Sequence, residues 1–237
     1  MKTSKEQKFF TIILIFYWAG IFIATHIPVP GWTRQMGVSD KTMHFFAYMI
    51  LAILLWLSRS FDKKANWKEL RPWLLSIIVI LYGLVDELSQ HFMNRSTDIS
   101  DFAANTLGLA VAMAIATVLS AYHIVMILIT VCPLFAPGII RSQLIPQNSI
   151  YEAAAYMMGF AIITAAWIKY LPSVFNLNVR KNNLLFFAPP AVTIIIVKFY
   201  AQLTDKPFGL TAIIGAFVSI ALTLFIRRLM SKKGTAI

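Results

Sequence analysis

Long apolar runs recur along this chain, and they restrict the folds that are open to it. Several runs approach the roughly 20 residues that an α-helix needs to cross a bilayer. Hydrophobic residues make up 59% of the sequence and charged residues 13%, with a mean hydropathy of +0.72. Backbone polar groups in lipid must be satisfied within each segment, and a membrane β-barrel would show short alternating strands instead. The sequence therefore predicts an all-α polytopic membrane protein.

The apolar runs predict about eight transmembrane helices, at residues 9–27, 43–58, 73–91, 101–120, 123–139, 150–170, 184–202 and 209–226. The weakest boundary lies within 101–139, which is far too long for one span at 1.5 Å per residue. We place a turn at residues 120–123. A re-entrant or interfacial segment at 123–139, broken by Pro133 and Pro137, is the alternative, because irregular backbone is tolerated where protein covers it.

Basic residues predict the orientation of these helices. With the N-terminus in the cytoplasm, fifteen Lys and Arg residues lie on the cytoplasmic side and five outside, and Lys198 lies within a span. Cytoplasmic loops of membrane proteins carry such an excess. We therefore expect a protein of the cytoplasmic membrane with both termini in the cytoplasm. The net charge of +11 is explained in this way, so no nucleic-acid partner is expected.

Polar and ionisable side chains gather where three consecutive predicted helices meet the outer face. Ionisable groups at membrane depth are expensive and usually serve a function with a partner. In the second and third helices the polar residues are spaced four apart, which places them on one helix face. The candidate site residues are Asp40, Lys41, His44 and Tyr48, then Asp86, Glu87 and Gln90, and then Arg95, Asp98, Asp101 and Asn105.

Several of these residues also have a purely structural explanation. Asp40 suits the start of a helix and can cap it. Asp98 can cap the next helix, with Asp101 completing a capping box. Asn105 can hydrogen-bond to a neighbouring helix, and Gly108 permits a close helix approach.

The adjacent acids Asp86 and Glu87 lie on neighbouring faces of the third helix, so one can face the bundle and the other the water. Two carboxylates at a helix C-terminus oppose the helix dipole and need an offset. Lys41, His91 and Arg95 are the candidates that are near in sequence. A structural salt-bridge network is the alternative to a functional site.

The polar residues are concentrated in one half of the chain. The last four predicted helices contain few such groups, among them Glu152, Lys169 and Lys198. We therefore divide the chain into residues 1–120, which carry the active element, and residues 121–237, which support or extend it. A lone cysteine, Cys132, excludes an internal disulfide and a thiolate metal cluster.

The order and spacing of these residues resemble the VanZ-like family over residues 9–120. The matching elements are Ile27-Pro28, the segment from Asp40 to Tyr48, the segment from Asp86 to Gln90, and Arg95, Asp98, Asp101, Asn105 and Gly108. The resemblance implies a four-helix core at the cell envelope. For the founding members it also implies tolerance to the glycopeptide teicoplanin.

The residues are compatible with four functions. In the first, the site binds or modifies a membrane lipid or lipid-linked envelope molecule. Lys41 and Arg95 would hold its phosphate or carboxylate. His44 with Asp86 or Glu87 would form an acid–base pair. In the second, carboxylates bind a divalent cation: Asp86, Glu87, Asp98 and Asp101 suit Mg²⁺ or Ca²⁺, and a histidine added to them suits Mn²⁺ or Zn²⁺. Ion- or proton-coupled transport and a non-catalytic scaffold are the alternatives.

Overall fold

The computed structural model describes residues 4–26, 39–61, 63–92, 98–131, 146, 149–175, 184–203, 205 and 208–233. All regular elements of this part of the chain are helices. They are α1 (Lys5–His26), α2 (Asp40–Ser60), α3 (Leu70–Phe92), α4 (Ile99–Val118), α5 (Ala121–Val131), α6 (Ile150–Phe175), α7 (Leu184–Leu203) and α8 (Leu210–Lys233). Seven of the described helices are long and apolar enough to cross a membrane. The predicted fold class is confirmed, and the protein is a multi-pass membrane protein.

The turn expected near residues 120–123 separates α4 from α5. Leu119 adopts an extended conformation, and its N–H donates to the carbonyl oxygen of Ile115, which ends α4. The described α5 contains 11 residues. At 1.5 Å per residue this is about 16 Å, roughly half of a bilayer's hydrocarbon core. Residues 132–139 of the predicted fifth span lie outside the described residues, so a complete crossing by 123–139 stays a prediction.

The chain divides into two compact units, the first ending at Ile124 and the second continuing from Val125. Helices α1 to α4 belong to the first unit and α6 to α8 to the second. The division made from sequence falls at residue 120. That the two halves are domains with separate roles stays a prediction.

Helix α2 is the centre of the first unit and packs against α1, α3 and α4. Small residues bring the helices together, as is usual between membrane helices. A Cβ added to Gly108 of α4 would collide with the carbonyl oxygen of Phe45 and lie 3.0 Å from the backbone nitrogen of Met49 in α2. A Cβ added to Gly83 of α3 would lie 3.2 Å from Cε1 of Tyr48. Helix α2 is therefore in close contact with both neighbours.

Hydrogen bonds identify one end of the first unit. Gln7 at the start of α1 donates to the carbonyl oxygen of Arg59 at the end of α2 (3.1 Å). The indole of Trp67, just before α3, donates to Thr117 Oγ1 at the end of α4 (3.0 Å). The end of α1, the start of α2, the end of α3 and the start of α4 therefore meet at the opposite end of this unit.

The second unit packs α6 against α8 around a mostly apolar core. A Cβ added to Gly215 would lie only 2.7 Å from the carbonyl oxygen of Ala153, so these two helices also approach closely. Glu152 is fully buried at the start of α6 and accepts a hydrogen bond from Thr211 of α8 (2.8 Å). Lys198 donates to the carbonyl oxygen of Phe208 (3.1 Å).

Candidate functional site

Helix caps fix the first turns of α2 and α4. Ser39 caps α2, with its hydroxyl oxygen accepting from the N–H of Thr42 (3.2 Å). The prediction that Asp40 caps this helix is therefore wrong: Asp40 is the first helical residue, and its side chain is exposed. Asp98 caps α4 as predicted, accepting from the N–H of Ser100 (2.9 Å). Hydrogen bonding from Ser100 lowers the pKa of Asp98 below its usual value.

His44, Glu87 and Asn105 form a buried group between α2, α3 and α4. His44 Nδ1 lies 3.1 Å from Asn105 Oδ1 and 3.9 Å from Glu87 Oε1. Asn105 Nδ2 donates to the same Glu87 oxygen (3.4 Å). The amide nitrogen of Asn105 faces Glu87 and donates to it, and its carbonyl oxygen faces His44. His44 Nδ1 is then the donor to Asn105, and in the neutral imidazole the lone pair is on Nε2.

Asp86 lies one residue earlier on α3 and contacts a different set of side chains. It accepts hydrogen bonds from Thr25 of α1 (2.7 Å), Tyr48 of α2 (3.2 Å) and Gln90 (3.5 Å). His26 Nδ1 lies 3.8 Å from the Asp86 oxygen that Thr25 binds. Asp86 is only 1% exposed. Donors from three helices therefore hold this carboxylate in place.

The neighbouring-face arrangement predicted for Asp86 and Glu87 is confirmed, because each contacts a different group of side chains. Neither acid faces water, however, since Glu87 is only 6% exposed. Tyr48 of α2 is buried and donates to Asp86. These two carboxylates are thus both inside the bundle.

Asp40, His44 and Asp101 bring one ligand atom each to within 4.8 Å of one another. Asp101 Oδ1 and Glu87 Oε2 are buried, and neither atom has a hydrogen-bond partner among the described residues. No described capping hydrogen bond uses the Asp101 carboxylate, so the expected capping box is not formed there. The four carboxylates predicted as cation ligands therefore do not form one group. Asp86 accepts hydrogen bonds from its own donors and Asp98 caps α4. Asp101 lies instead with Asp40 and His44.

The basic residues that sequence analysis placed beside the acids lie elsewhere or outside the described part. Lys41 Nζ lies 3.7 Å from Asp98 Oδ2, and the two side chains are 59% and 46% exposed. The imidazoles of His26 and His44, rather than Lys41, lie next to Asp86 and Glu87. Arg95 and the side chain of His91 lie outside the described residues.

The contribution of α1 to this group was not predicted from the sequence. His26 Nε2 lies 2.6 Å from the hydroxyl of Ser89, and Thr25 binds Asp86. The sequence offered one signal for His26: it ends an apolar run on the same side of the membrane as the polar ends of the next three predicted helices. We call the polar residues that meet here from the four helices the acid–histidine site: the buried His44, Tyr48, Asp86, Glu87, Gln90, Asp101 and Asn105, with the half-buried Thr25 and His26 of α1.

Residues 2–120 match the family VanZ/LLP1. The chain belongs to the VanZ/LLP1 family. No curated protein and no solved structure matches the chain. The VanZ/LLP1 match ends between α4 and α5, so it contains every residue of the acid–histidine site. Helices α6 to α8 lie beyond the matched segment.

The VanZ/LLP1 part thus combines a buried floor with a polar rim. His44, Glu87 and Asn105 form the floor, whereas Lys41 and Asp98 are partly exposed at the rim. With the neighbouring Asp101, the floor offers the imidazole of His44 and two carboxylate oxygens without hydrogen-bond partners among the described residues. Such groups can bind a polar ligand, transfer a proton or coordinate a cation.

Proposed function

We propose that this VanZ/LLP1 protein binds the polar head group of an amphiphilic cell-envelope molecule, a membrane lipid or a lipid-linked species, in the acid–histidine site. The observation that carries the proposal is the convergence of buried polar side chains from α2, α3 and α4 at one end of the first unit, joined by the half-buried Thr25 and His26 of α1. A bundle that needed only packing at this level would be at least as stable with apolar residues, because buried ionic groups are costly to desolvate. A ligand is a physical reason to keep them.

The surroundings suit an amphiphile. The rim residues Lys41 and Asp98 are partly exposed and present both signs of charge to a polar head group beside the site. Along α3, large apolar side chains such as Leu81, Val85 and Leu88 point away from the protein, each more than half exposed. A lipid chain beside this helix would stay in an apolar environment while its head group enters the site.

The charge distribution supports an outward-facing site in the cytoplasmic membrane. The opposite end of the first unit carries a group of basic residues: Lys5, Lys8, Arg59, Lys63, Lys64, Lys68 and Arg71. Basic residues favour the cytoplasmic side. With that end in the cytoplasm, the acid–histidine site meets the outer leaflet, where envelope precursors are used.

The site has the groups for a modification as well as for binding. In a neutral His44 whose Nδ1 donates to Asn105, Nε2 has a lone pair that can either take a proton from a bound hydroxyl or water or coordinate a metal ion. Glu87 or Asp86 would be the carboxylate of the pair. We extend the proposal to teicoplanin tolerance, the activity that the family resemblance implies for the founding members.

Lipid mass spectrometry of the full-length protein in mild detergent tests the proposal. Wild type is compared with Asp86→Asn, which removes the charge but keeps the size of the side chain. Glu69→Gln is the matched control, because it removes one carboxylate at the opposite, exposed end of the same unit. A species that co-purifies with wild type and the control but not with Asp86→Asn supports binding.

Thermal unfolding of each variant confirms that it is folded. Equal lipid profiles for three folded proteins would contradict the proposal and favour the scaffold. A teicoplanin susceptibility assay in a sensitive host tests the extension: tolerance should follow wild type and Glu69→Gln and be lost with Asp86→Asn.

A further inference from the structure

We infer that one divalent transition-metal ion binds between α2 and α4, held by Asp40, His44 and Asp101. This inference deepens the proposed function, because it places a cofactor in the acid–histidine site. The three residues come from the first two turns of their helices. Asp40 and His44 are four residues apart and share a face of α2, and Asp101 faces them from α4.

The distances are close to those of a metal site. Ligand atoms at about 2.1 Å from one ion lie at most about 4.2 Å apart. The three ligand atoms lie within 4.8 Å of one another, so a small inward movement is enough. Asp40 is exposed and can make that movement, whereas His44 and Asp101 are fixed by burial.

Two buried oxygen atoms point independently to a ligand. Asp101 Oδ1 and Glu87 Oε2 have no hydrogen-bond partner among the described residues, and each side chain is only 6% exposed. Buried carboxylate oxygens are almost always satisfied, so each exception calls for a missing partner. A cation beside His44 would satisfy Asp101 directly, and its charge would also stabilise the nearby Glu87.

The alternative uses of these residues are largely excluded. Ser39 caps α2, so the carboxylate of Asp40 is not needed there. Asp98 caps α4, so Asp101 is not needed there either. Asn105 holds His44 through Nδ1, in the way that outer hydrogen bonds orient metal-binding histidines.

The ligand set favours Zn²⁺ or Mn²⁺ over Mg²⁺ and Ca²⁺. Imidazole with carboxylates suits first-row transition metals, whereas Mg²⁺ and Ca²⁺ take oxygen ligands. Three protein ligands leave coordination positions open, which is typical of metal sites that bind a further molecule.

A bound cation would also decide which head group can enter. The carboxylates nearest to the ion are those of Asp40, Asp101 and Glu87, with the imidazole of His44, and Lys41 is already beside Asp98. Without a metal, this surplus of carboxylates repels an anionic head group. A divalent ion reverses the local charge and can take a phosphate or carboxylate oxygen in an open position. The head group is then anionic, and its binding depends on the metal.

The test is a metal titration of the full-length protein in detergent after removal of bound ions with a chelator. Zn²⁺ and Mn²⁺ are added separately and Mg²⁺ serves as comparison, with bound metal measured by calorimetry and elemental analysis. We expect one Zn²⁺ or Mn²⁺ per chain and much weaker Mg²⁺ binding. His44→Gln and Asp101→Asn should each weaken binding more than about 100-fold, since losing an outer partner alone costs roughly 10- to 100-fold.

Two further variants sharpen the result. Asn105→Ala should fall in that 10- to 100-fold range because it leaves the ligands in place. Glu152→Gln, which neutralises a buried carboxylate of the second unit, should bind metal like wild type. X-ray absorption of the Zn²⁺ form should show one imidazole nitrogen with oxygen ligands, and the nitrogen should disappear in His44→Gln.

Absence of a bound ion would overturn the inference. Equal affinity in wild type, His44→Gln and Asp101→Asn would also overturn it, since it would leave adventitious binding only. Thermal unfolding of the metal-free variants verifies their folding. The lipid experiment remains separate. If the lipid is lost in Asp86→Asn and no metal site is found, the proposed function stands and the metal inference fails. If a specific metal site is found but no lipid co-purifies, the metal inference stands and the proposed function fails.

Discussion

Replacing Gly108 with alanine should force α2 and α4 apart. The added Cβ would collide with the Phe45 carbonyl oxygen and lie 3.0 Å from the Met49 nitrogen, both backbone atoms that cannot rotate away. Overpacking costs about 1–3 kcal/mol, and contact with two backbone atoms places this site at the upper end. Alanine regains about 1 kcal/mol of helix propensity. We expect a net loss of about 2 kcal/mol in the free energy of unfolding.

Two other glycines calibrate this expectation. An alanine Cβ at Gly20 of α1 meets nothing within 4 Å, so Gly20→Ala should be neutral or stabilising by up to about 1 kcal/mol. At Gly83 the new Cβ would lie 3.2 Å from the edge of the Tyr48 ring and in ordinary contact with the Asn105 Cβ at 3.8 Å. A side chain can yield by a few tenths of an ångström, so Gly83→Ala should lie between the other two.

Denaturant unfolding in mixed micelles, followed by circular dichroism, measures this series. Separation of α2 from α4 should also lengthen the contact between His44 and Asn105, so Gly108→Ala should lose the co-purifying molecule while Gly20→Ala keeps it. If Gly108→Ala were as stable as Gly20→Ala, the close approach of α2 and α4 would be refuted.

Three further predictions concern single hydrogen bonds. Tyr48→Phe should cost about 1.5 kcal/mol, because the buried carboxylate of Asp86 loses one donor; no change in micelle unfolding would count against this contact. Thr211→Val should destabilise the second unit by a similar amount, since Glu152 loses the hydroxyl that donates to it; the same unfolding assay applies. The pKa of Asp98 is lowered in the folded state, so its stabilisation is present above the usual aspartate pKa and is lost as the pH falls through the lowered value. The melting temperature of Asp98→Ala should therefore fall below that of wild type at neutral pH and converge with it in acid, and a constant difference would contradict the assignment.

Helix positions follow closely from the sequence because the bilayer sets the length of each apolar run. The predicted span 184–202 corresponds to Leu184–Leu203, and 209–226 begins one residue before the longer Leu210–Lys233. Ends are harder to predict, because serine and aspartate both cap helices well and Ser39 precedes Asp40. Propensity alone does not choose between two adjacent capping residues.

The grouping of the polar ends of α2, α3 and α4 was predictable because consecutive spans alternate in direction, which brings the start of α2, the end of α3 and the start of α4 to one side. Four-residue spacing then places the polar side chains of each helix on one face. Which of these side chains contact each other within the site was not predictable. Whether Asp86 or Glu87 faces α1 depends on how α3 is rotated about its axis, which tertiary packing decides. The position of His26 at the end of an apolar run marked it as a polar end, but the sequence of α1 does not show that Thr25 and His26 turn toward α3. The functional roles of the site residues stay predictions.

The central claim is that polar groups of separate helices act as one buried site, and a double-mutant cycle between His44 and Asn105 tests it most directly. The free energy of unfolding is measured for wild type, His44→Ala, Asn105→Ala and the double variant. A second cycle pairs His44→Ala with Thr117→Ala as a control, because Thr117 lies at the other end of the unit. We predict a coupling of about 0.5–3 kcal/mol for His44 with Asn105 and additive effects for the control. Additive effects in both cycles would contradict the shared site.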